Sequence, residues 1–402
     1  MPGVDVDVAV VGAGPAGSAT AAFLAGRGFD VALVDRATFP RDKACSEYLS
    51  PEAGRLLEAL GVLERVQADA ARLRGMTVVG PGGSAFTGRF AGARPHRGFR
   101  DFGLALPRRE LDSALVDAAT ARGACLFERL RVEGIGGPGR TRSVLLRERS
   151  GRTRTLTARL VVGADGVQSR LAARLGLSRR GSLRRVAFVT HATGVAGMGD
   201  LGEMYAEPGV YAGLAPVGRG LTNVAVVMDA RAPIAGRTPS ERLAAGIARV
   251  PAVAERLREA TYVGPVLGAG PFAHRTVRAT ADRVALVGDA ADFYDPFTGE
   301  GIYAALRGAE LLASEAGALL EHDDLSADAL GTYDTARRRA FGGKWLVERA
   351  IAYAVGHPRL LERVARRLAR RSGMADLLVG VTGDFVPPRA VLRPSYLMRL
   401  VL

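Results

Sequence analysis

Near the N-terminus, Gly12-Ala13-Gly14-Pro15-Ala16-Gly17 stands between an apolar run and a stretch of small residues. Glycines at this spacing suit one task, holding a phosphate against bare backbone. Gly12 permits a tight turn out of a strand. Gly14 leaves room for a pyrophosphate to approach the main chain, and Gly17 lets helix and strand pack closely. A helix opening at Pro15 and Ala16 presents free N–H groups and a partial positive charge to the anion. Asp35 follows about 20 residues on, where an acid accepts hydrogen bonds from ribose hydroxyls, and Arg36 stands beside it. The pattern reads as a dinucleotide site, with an ordinary strand-to-helix turn as the plainer alternative.

Two later segments have the same character. Gly163-Ala164-Asp165-Gly166-Val167-Gln168-Ser169-Arg170 follows the apolar run Leu160–Gly163. Gly288-Asp289-Ala290-Ala291 follows Val284–Gly288, and Asp295-Pro296-Phe297-Thr298-Gly299-Glu300-Gly301 comes soon after, with Ile302 next. Buried parallel strands that feed a cofactor crevice end in this way. A fourth segment, Phe39 to Pro51, contains Arg41, Lys43, Cys45, Ser46 and Glu47. Cys45 reads either as a redox-active or cofactor-adjacent thiol or as a small buried hydrophobe. Glu47 reads as a proton donor or acceptor, or as a structural hydrogen-bonding group. Arg41 and Lys43 meet either phosphates or solvent.

In this order, the motifs resemble those of the flavoprotein monooxygenases of the para-hydroxybenzoate hydroxylase fold and the related geranylgeranyl reductases, over residues 4 to about 320. The resemblance implies bound FAD, with NADPH or NADH as reductant. It implies that Asp289 contacts a ribitol or ribose hydroxyl. The Gly299–Gly301 amides would face the flavin pyrimidine edge, where a helix N-terminus favours negative charge on the ring. Pro296 would lie near the carbon to which oxygen adds, and Asp165 and Gly166 would support FAD and NAD(P)H binding. Arg108, in Pro107-Arg108-Arg109-Glu110-Leu111-Asp112, matches the arginine that opens a helix near FAD, against the reading of a solvated helix-start charge. The Cys45 loop resembles the reductase and halogenase branch, with Ser46 where the reductases carry glycine. The implied cofactor-binding set is Gly12, Gly14, Pro15, Ala16, Gly17, Asp35, Arg36, Cys45, Arg108, Asp165, Gly288, Asp289, Pro296, Gly299, Gly301 and Ile302. Glu47, Cys45 and Pro296 are the catalytic candidates.

The implied activity is a single-component monooxygenase of secondary metabolism, such as antibiotic biosynthesis. In it, a flavin hydroperoxide hydroxylates or epoxidises an aromatic or polyketide-type molecule. The alternative is reduction of isoprenoid double bonds, and a flavin-binding module without turnover is a third reading. The paired tryptophans of tryptophan halogenases are absent, because Trp345 is the single tryptophan. Their separate catalytic lysine has no counterpart either, since Lys43 and Lys344 are the only lysines.

Elements must position these groups. Val4–Val11, a helix over Pro15–Arg27 and Val31–Val34 form a β-α-β unit of about thirty residues. Residues 72–106 and 183–278 alternate in period two, with strands expected at Val186–Thr190, Gly209–Ala215 and Thr222–Met228 and a helix inserted over Pro239–Arg258. They read as one antiparallel sheet built from two separate stretches. The chain after residue 300 reads as mainly helical to about 373. The fold class is therefore α/β: a Rossmann-type FAD-binding domain interleaved with an antiparallel-sheet substrate domain, then a helical C-terminal region. Residues 1–71, 107–182 and 279–320 belong to the first, 72–106 and 183–278 to the second, and 321–402 to the third.

The basic helix Leu360–Arg371 reads as a core cover with a charged outer face, in preference to a membrane-surface helix. The stretch Asp376–Leu402, broken by glycines and prolines, reads as a cap over the substrate cavity or an oligomer contact. The 402 residues carry a formal charge of +14, and nearly all the bases are arginine. The arginines are scattered and no nucleic-acid-binding motif accompanies them, so a genome-wide arginine preference is favoured over a nucleic-acid partner. Cys45 and Cys125 form no disulfide framework, and no metal set is present. No apolar run approaches the ~18 residues that span a bilayer. The expected partner is a hydrophobic small molecule, with at most peripheral membrane contact, in a cytoplasmic monomer or homodimer.

Overall fold

A computed structural model describes residues 5–137, 139–181, 184–231, 235–272 and 274–401. The first expected strand runs Val6–Val11, and Val4 lies outside the described residues. It is the centre of a parallel sheet. Thr153–Gly163 lies on one side and Val31–Val34 on the other; Val284–Leu286 and Cys125–Phe127 extend the array. These strands are short and valine-rich, and Val8, Val10, Val31, Leu33, Val161 and Val162 are fully buried, as a sheet covered on both faces requires. The Pro15–Ala25 helix packs between Gly301–His322 and Arg108–Ala121. Its residues are small because helix and sheet approach closely.

Register is what matters for function. Val11 pairs with Gly163 and with Val34, and Gly163 pairs with Leu286. The glycine loop, the Ala164-Asp165 turn, Asp35 and the Gly288-Asp289 turn therefore leave the sheet at one level, along one edge. A Cβ on Gly12 would lie 2.4 Å from the Ala164 carbonyl oxygen, so the two turns are packed together.

The second large sheet has seven strands in the order Thr261–Ala269, Arg185–Thr193, Leu221–Asp229, Val210–Gly218, Gly202–Glu207, Gly75–Val79 and Ala85–Arg89. It is built from the two expected stretches, but it is not wholly antiparallel. Gly202–Glu207 and Gly75–Val79 pair in parallel. That join stitches two segments far apart in sequence, so no tight turn dictates its direction. Residues Ala71–Leu73 and Gly103–Ala105, at the ends of the first stretch, leave the large sheet and pair with each other, and Gly103–Ala105 also pairs with Tyr48–Leu49.

Alternation sorts the two faces of this sheet. Phe188, Val224, Val226 and Met228 pack on one side beneath helices Pro239–Ala248 and Pro251–Arg256. Ala187, Val189, Asn223, Ala225 and Val227 point to the other side, toward the parallel sheet. The single helix expected over Pro239–Arg258 is two, because Pro251 has no N–H to continue the first and instead opens the second.

Helices Pro358–Ala369 and Ser372–Thr382 cover the Ala85–Arg89 strand. Leu361, Ala365 and Leu368 of the first are buried, so it is a core cover. The stretch after Asp376 is more regular than expected. Its glycines are spacers: a Cβ on Gly380 would lie 2.5 Å from Val386 and 2.9 Å from Ala93. Its prolines begin helices, with Pro388 capping Arg389–Leu392 and Pro394 opening Pro394–Val401. Among the described residues, no helix is long and apolar enough to cross a membrane.

Candidate active site

A cavity of about 1180 Å³ lies between the edge of the parallel sheet and the inner face of the seven-stranded sheet. Of the residues singled out from sequence, it is lined by Gly12, Gly14, Pro15, Ala16, Asp35, Arg36, Cys45, Arg108, Asp165, Asp289, Pro296, Gly299, Gly301 and Ile302. Loops spread from residue 12 to residue 302 thus meet at one space.

Gly17 and Gly288 serve that space from beneath. A Cβ on Gly17 would sit 1.7 Å from the Gly12 carbonyl oxygen, and one on Gly288, at φ +62°, 2.7 Å from the Ala16 Cβ. Gly14 differs: a Cβ there would meet only the guanidinium ends of Arg41 at 3.7 Å and Arg108 at 3.8 Å. The open backbone of Gly14, at the helix mouth, thus faces two cations. Asp35 is tied into the loop itself. Its Oδ2 accepts from Ala13 N–H at 2.7 Å, and its Oδ1 accepts from Ala37 N–H at 2.8 Å.

Arg108 is buried and bidentate to Asp112, with Nε and Nη2 donating at 2.7 and 2.8 Å. The reading of a solvated helix-start charge is therefore wrong for this residue. Arg41 reaches the same Asp112 at 3.0 Å. Lys43 sits near both arginines, and its pKa is lowered by burial first and then by Arg108 and Arg41, with Asp289 opposing. Burial raises the pKa of Asp289, against Lys43 and Arg108. Cation excess around Gly14 is what a diphosphate would neutralise.

Asp165 anchors its own turn, accepting from Arg170 N–H at 2.8 Å, while its Oδ1 is buried without a partner. Asp295 accepts from Phe297 N–H at 3.0 Å and Tyr211 O–H at 2.9 Å, and it pairs with Arg185 at 2.5 Å. This network locks the Pro296–Thr298 turn, which ends at Gly299 in the left-handed region before the Gly301–His322 helix. Gly299 faces the Cys45 loop: a Cβ there would lie 3.2 Å from Tyr48 and 3.5 Å from Ser46.

Within that loop the catalytic expectations need revision. Glu47 sits at φ +62°, and Cys45, Ser46 and Tyr48, but not Glu47, line the cavity. The Glu47 carboxylate is buried and fully engaged. It accepts from Arg108 N–H at 2.8 Å and Asn223 Nδ2–H at 2.9 Å, and it lies 2.6 Å from His191 Nε2. It is a brace for the loop, because a carboxylate so occupied is not free to meet a reactant. The hydrogen bond to Glu47 raises the His191 pKa, with burial opposing. Asn223 also donates to the Cys45 carbonyl at 2.9 Å. Burial raises the Cys45 pKa, which leaves a thiol rather than a reactive thiolate at neutral pH.

His191 and Asn223 had no signal in the sequence beyond being polar in apolar strands. Asp112 had one, since it stands four residues after Arg108, within reach on one helix face.

The sequence profile of the FAD-binding domain family matches residues 5–347. The chain belongs to this FAD-binding family of oxidoreductases. A menaquinone reductase of Mycobacterium tuberculosis is 29% identical over 406 residues, covering 94% of this chain and 91% of the relative. A digeranylgeranylglycerophospholipid reductase of Methanothermobacter thermautotrophicus is 30% identical over 351 residues, covering 84% and 83%. Among solved structures, a flavoprotein/dehydrogenase from Cytophaga hutchinsonii superposes with a TM-score of 0.83 at 22% identity, over 94% of this chain and 92% of that one. At that identity the likeness is one of fold. For an FAD-binding oxidoreductase, the local chemistry fits: a bare glycine backbone, a helix mouth and a cluster of three cations, two of which share the single carboxylate of Asp112, stand together at one cavity.

Proposed function

We propose that this flavoprotein reduces an isoprenoid carbon–carbon double bond in a lipophilic substrate. The single observation that carries the reading is the cavity's composition. Its Gly14 end is cationic and made of backbone, while its sheet end is lined by Met76, Met204, Ala187, Val189, Val227 and Phe272. A diphosphate suits the first and a greasy chain the second. The reductases of menaquinone and of digeranylgeranylglycerophospholipid, similar to this chain over most of their lengths, support the same assignment.

FAD, once reduced, would supply the electrons. Gly12, Gly14 and the Pro15 helix mouth would hold its diphosphate, with Arg41, Lys43 and Arg108 neutralising the charge. Arg36 and Asp35 would face the adenosine side, and Asp289 would face the ribitol. Gly299 and Gly301 would meet the ring edge, with Pro296 and Cys45 against its face. The Glu47–His191–Asn223 brace fixes the loop that carries Cys45. The apolar wall excludes water from the reacting carbons.

Hydroxylation of an aromatic or polyketide-type substrate, the first expectation from sequence, is the second reading. Ser46 favours it, standing where the reductases carry glycine. One experiment separates the two. FAD-loaded protein is incubated with a menaquinone and a dihydronicotinamide nucleotide, with and without oxygen. The reductase reading requires, under both conditions, product whose isoprenoid tail still carries two extra hydrogens after the ring has been reoxidised to the quinone. Product formed only with oxygen, and carrying an added oxygen atom, would replace it with hydroxylation.

A further inference from the structure

Residues 346–402 hold ten arginines and no lysine, against four acids. The acids are turned inward. Glu362 accepts from Gly82 N–H at 2.8 Å and Asp376 from Arg89 N–H at 2.7 Å. Asp384 pairs with the buried Lys344, and Glu348 lines the cavity. The arginines are turned outward. Helix Pro358–Ala369 sets Leu361, Ala365 and Leu368 in the core, and its other face carries Arg359, Arg363, Arg366 and Arg370 at the spacing of one helix stripe, all exposed. Arg366 also lies 3.6 Å from Glu362.

Apolar side chains stand beside this charge. Leu346 and Tyr353, on helix Gly331–Val355, are 54% and 61% exposed, and Leu397 and Met398, on helix Pro394–Val401, are 42% and 56% exposed. The faces adjoin. Val347 and Ile351 pack with Tyr396 and Leu400 in one apolar cluster, so these two helices lie side by side. Arg370, Arg371 and Arg399 line one shallow hollow, which joins the arginine stripe to the Pro394–Val401 helix. The ring centroids of Tyr353 and His357 are 4.0 Å apart, and His357 leads into Pro358 and Arg359. Leu346, Arg349 and Tyr353 are three and four residues apart, on one face of their helix. Arg349 is exposed and also lines the substrate cavity, as do Trp345 and Glu348. The cavity therefore reaches the surface between Leu346 and Tyr353.

We propose that this face docks on an anionic lipid bilayer, with the arginines against its headgroups and Leu346, Tyr353, Leu397 and Met398 entering beneath them, so that the cavity opens onto the membrane. Charge complementarity selects the occupant. A second copy would bring arginine against arginine. A nucleic acid would satisfy the arginines through its phosphates and leave the four apolar side chains in water. An anionic bilayer takes both, because arginines bind its surface potential and apolar side chains gain by leaving water. The apolar face of helix Pro358–Ala369 is already in the core, so that helix rests on the headgroups without sinking among the acyl chains. Entry of substrate from the bilayer rests on the lipophilic-substrate reading above; the docking does not.

Flotation of the full chain with vesicles of phosphatidylcholine, alone or mixed in equal parts with phosphatidylglycerol, tests this. The wild type should bind the mixed vesicles, bind those of phosphatidylcholine far more weakly, and come off as salt rises. Arg359→Gln combined with Arg363→Gln should weaken binding about 30-fold. Leu346→Ser combined with Tyr353→Ser should weaken it at least about tenfold. All four side chains are exposed, so both double variants should melt like wild type. Tyr262→Ser, on the opposite edge strand of the seven-stranded sheet, should bind like wild type. The proposal is overturned by no binding to mixed vesicles, by equal binding to both kinds, or by undiminished binding of either double variant. A wild type that ignores vesicles but forms a dimer broken by Leu346→Ser gives the face to a second copy instead. Vesicle binding with the expected losses, in a protein that saturates no isoprenoid double bond, leaves the docking standing while the reductase reading fails.

Discussion

Gly14 and Gly17 lie three residues apart in sequence and should respond oppositely to the same methyl group. Gly17→Ala places a Cβ 1.7 Å from the Gly12 oxygen, so it should prevent the loop from closing and give insoluble or unfolded protein. Gly14→Ala meets nothing closer than 3.7 Å, so it should melt like wild type, yet weaken FAD at least about tenfold, or ~1.4 kcal/mol. Thermal melts and flavin-fluorescence titrations of both variants check this, and equal folding defects would refute the assignment. The Glu47–His191 pair makes a pH statement. His191 has a folded pKa raised above its unfolded value. Its contribution to stability is therefore fully present below about pH 6.5 and lost as pH rises through the raised value. The difference in melting temperature between wild type and His191→Gln should be largest at low pH and shrink toward alkaline pH. A difference that grows with pH would mean that His191 is not the charged partner of Glu47. The glycine roles were legible because a fixed spacing implies a fixed backbone. Glu47 was legible as important but not in its role. Its partners His191 and Asn223 lie on strands, where only the folded sheet decides which parity meets the loop.

At the scale of elements, the C-terminal helices are held to the seven-stranded sheet by carboxylates that accept from its edge. Asp376 accepts from Arg89 N–H at 2.7 Å, and Glu362 from Gly82 N–H at 2.8 Å. Asp376→Ala removes this hydrogen bond from an exposed strand residue and should cost about 0.5–1.5 kcal/mol in denaturant unfolding. Faster proteolysis after residue 355 should accompany the loss, and unchanged digestion would show that the contact does not hold these helices. This docking had little signal in sequence. Helix Ser372–Thr382 contains Gly373 and Gly380, which lower helix propensity, and its justification is the close approach to Val386 and Ala93 rather than any local preference. The parallel strands were easier to read, because their unbroken apolar runs report burial on both faces. The parallel stitch between Gly75–Val79 and Gly202–Glu207 was not, since alternation specifies a face and leaves the direction of the partner open.

At the scale of the whole molecule, the register of four strand ends converts scattered motifs into one site, and cations gathered there oppose one another until an anion arrives. FAD at 100 times its dissociation constant should therefore stabilise the protein by about 2.7 kcal/mol. The order of the motifs made the dinucleotide end legible. The substrate end was not, because its lining comes from one face of a sheet whose residues are ordinary in sequence and special only in assembly. The central claim is that the aligned strand ends hold one FAD. Its most direct test is to mix purified protein with excess FAD, remove free cofactor by desalting, and measure flavin absorbance per chain. One FAD per chain is expected. A colourless protein that retains no flavin would contradict the account.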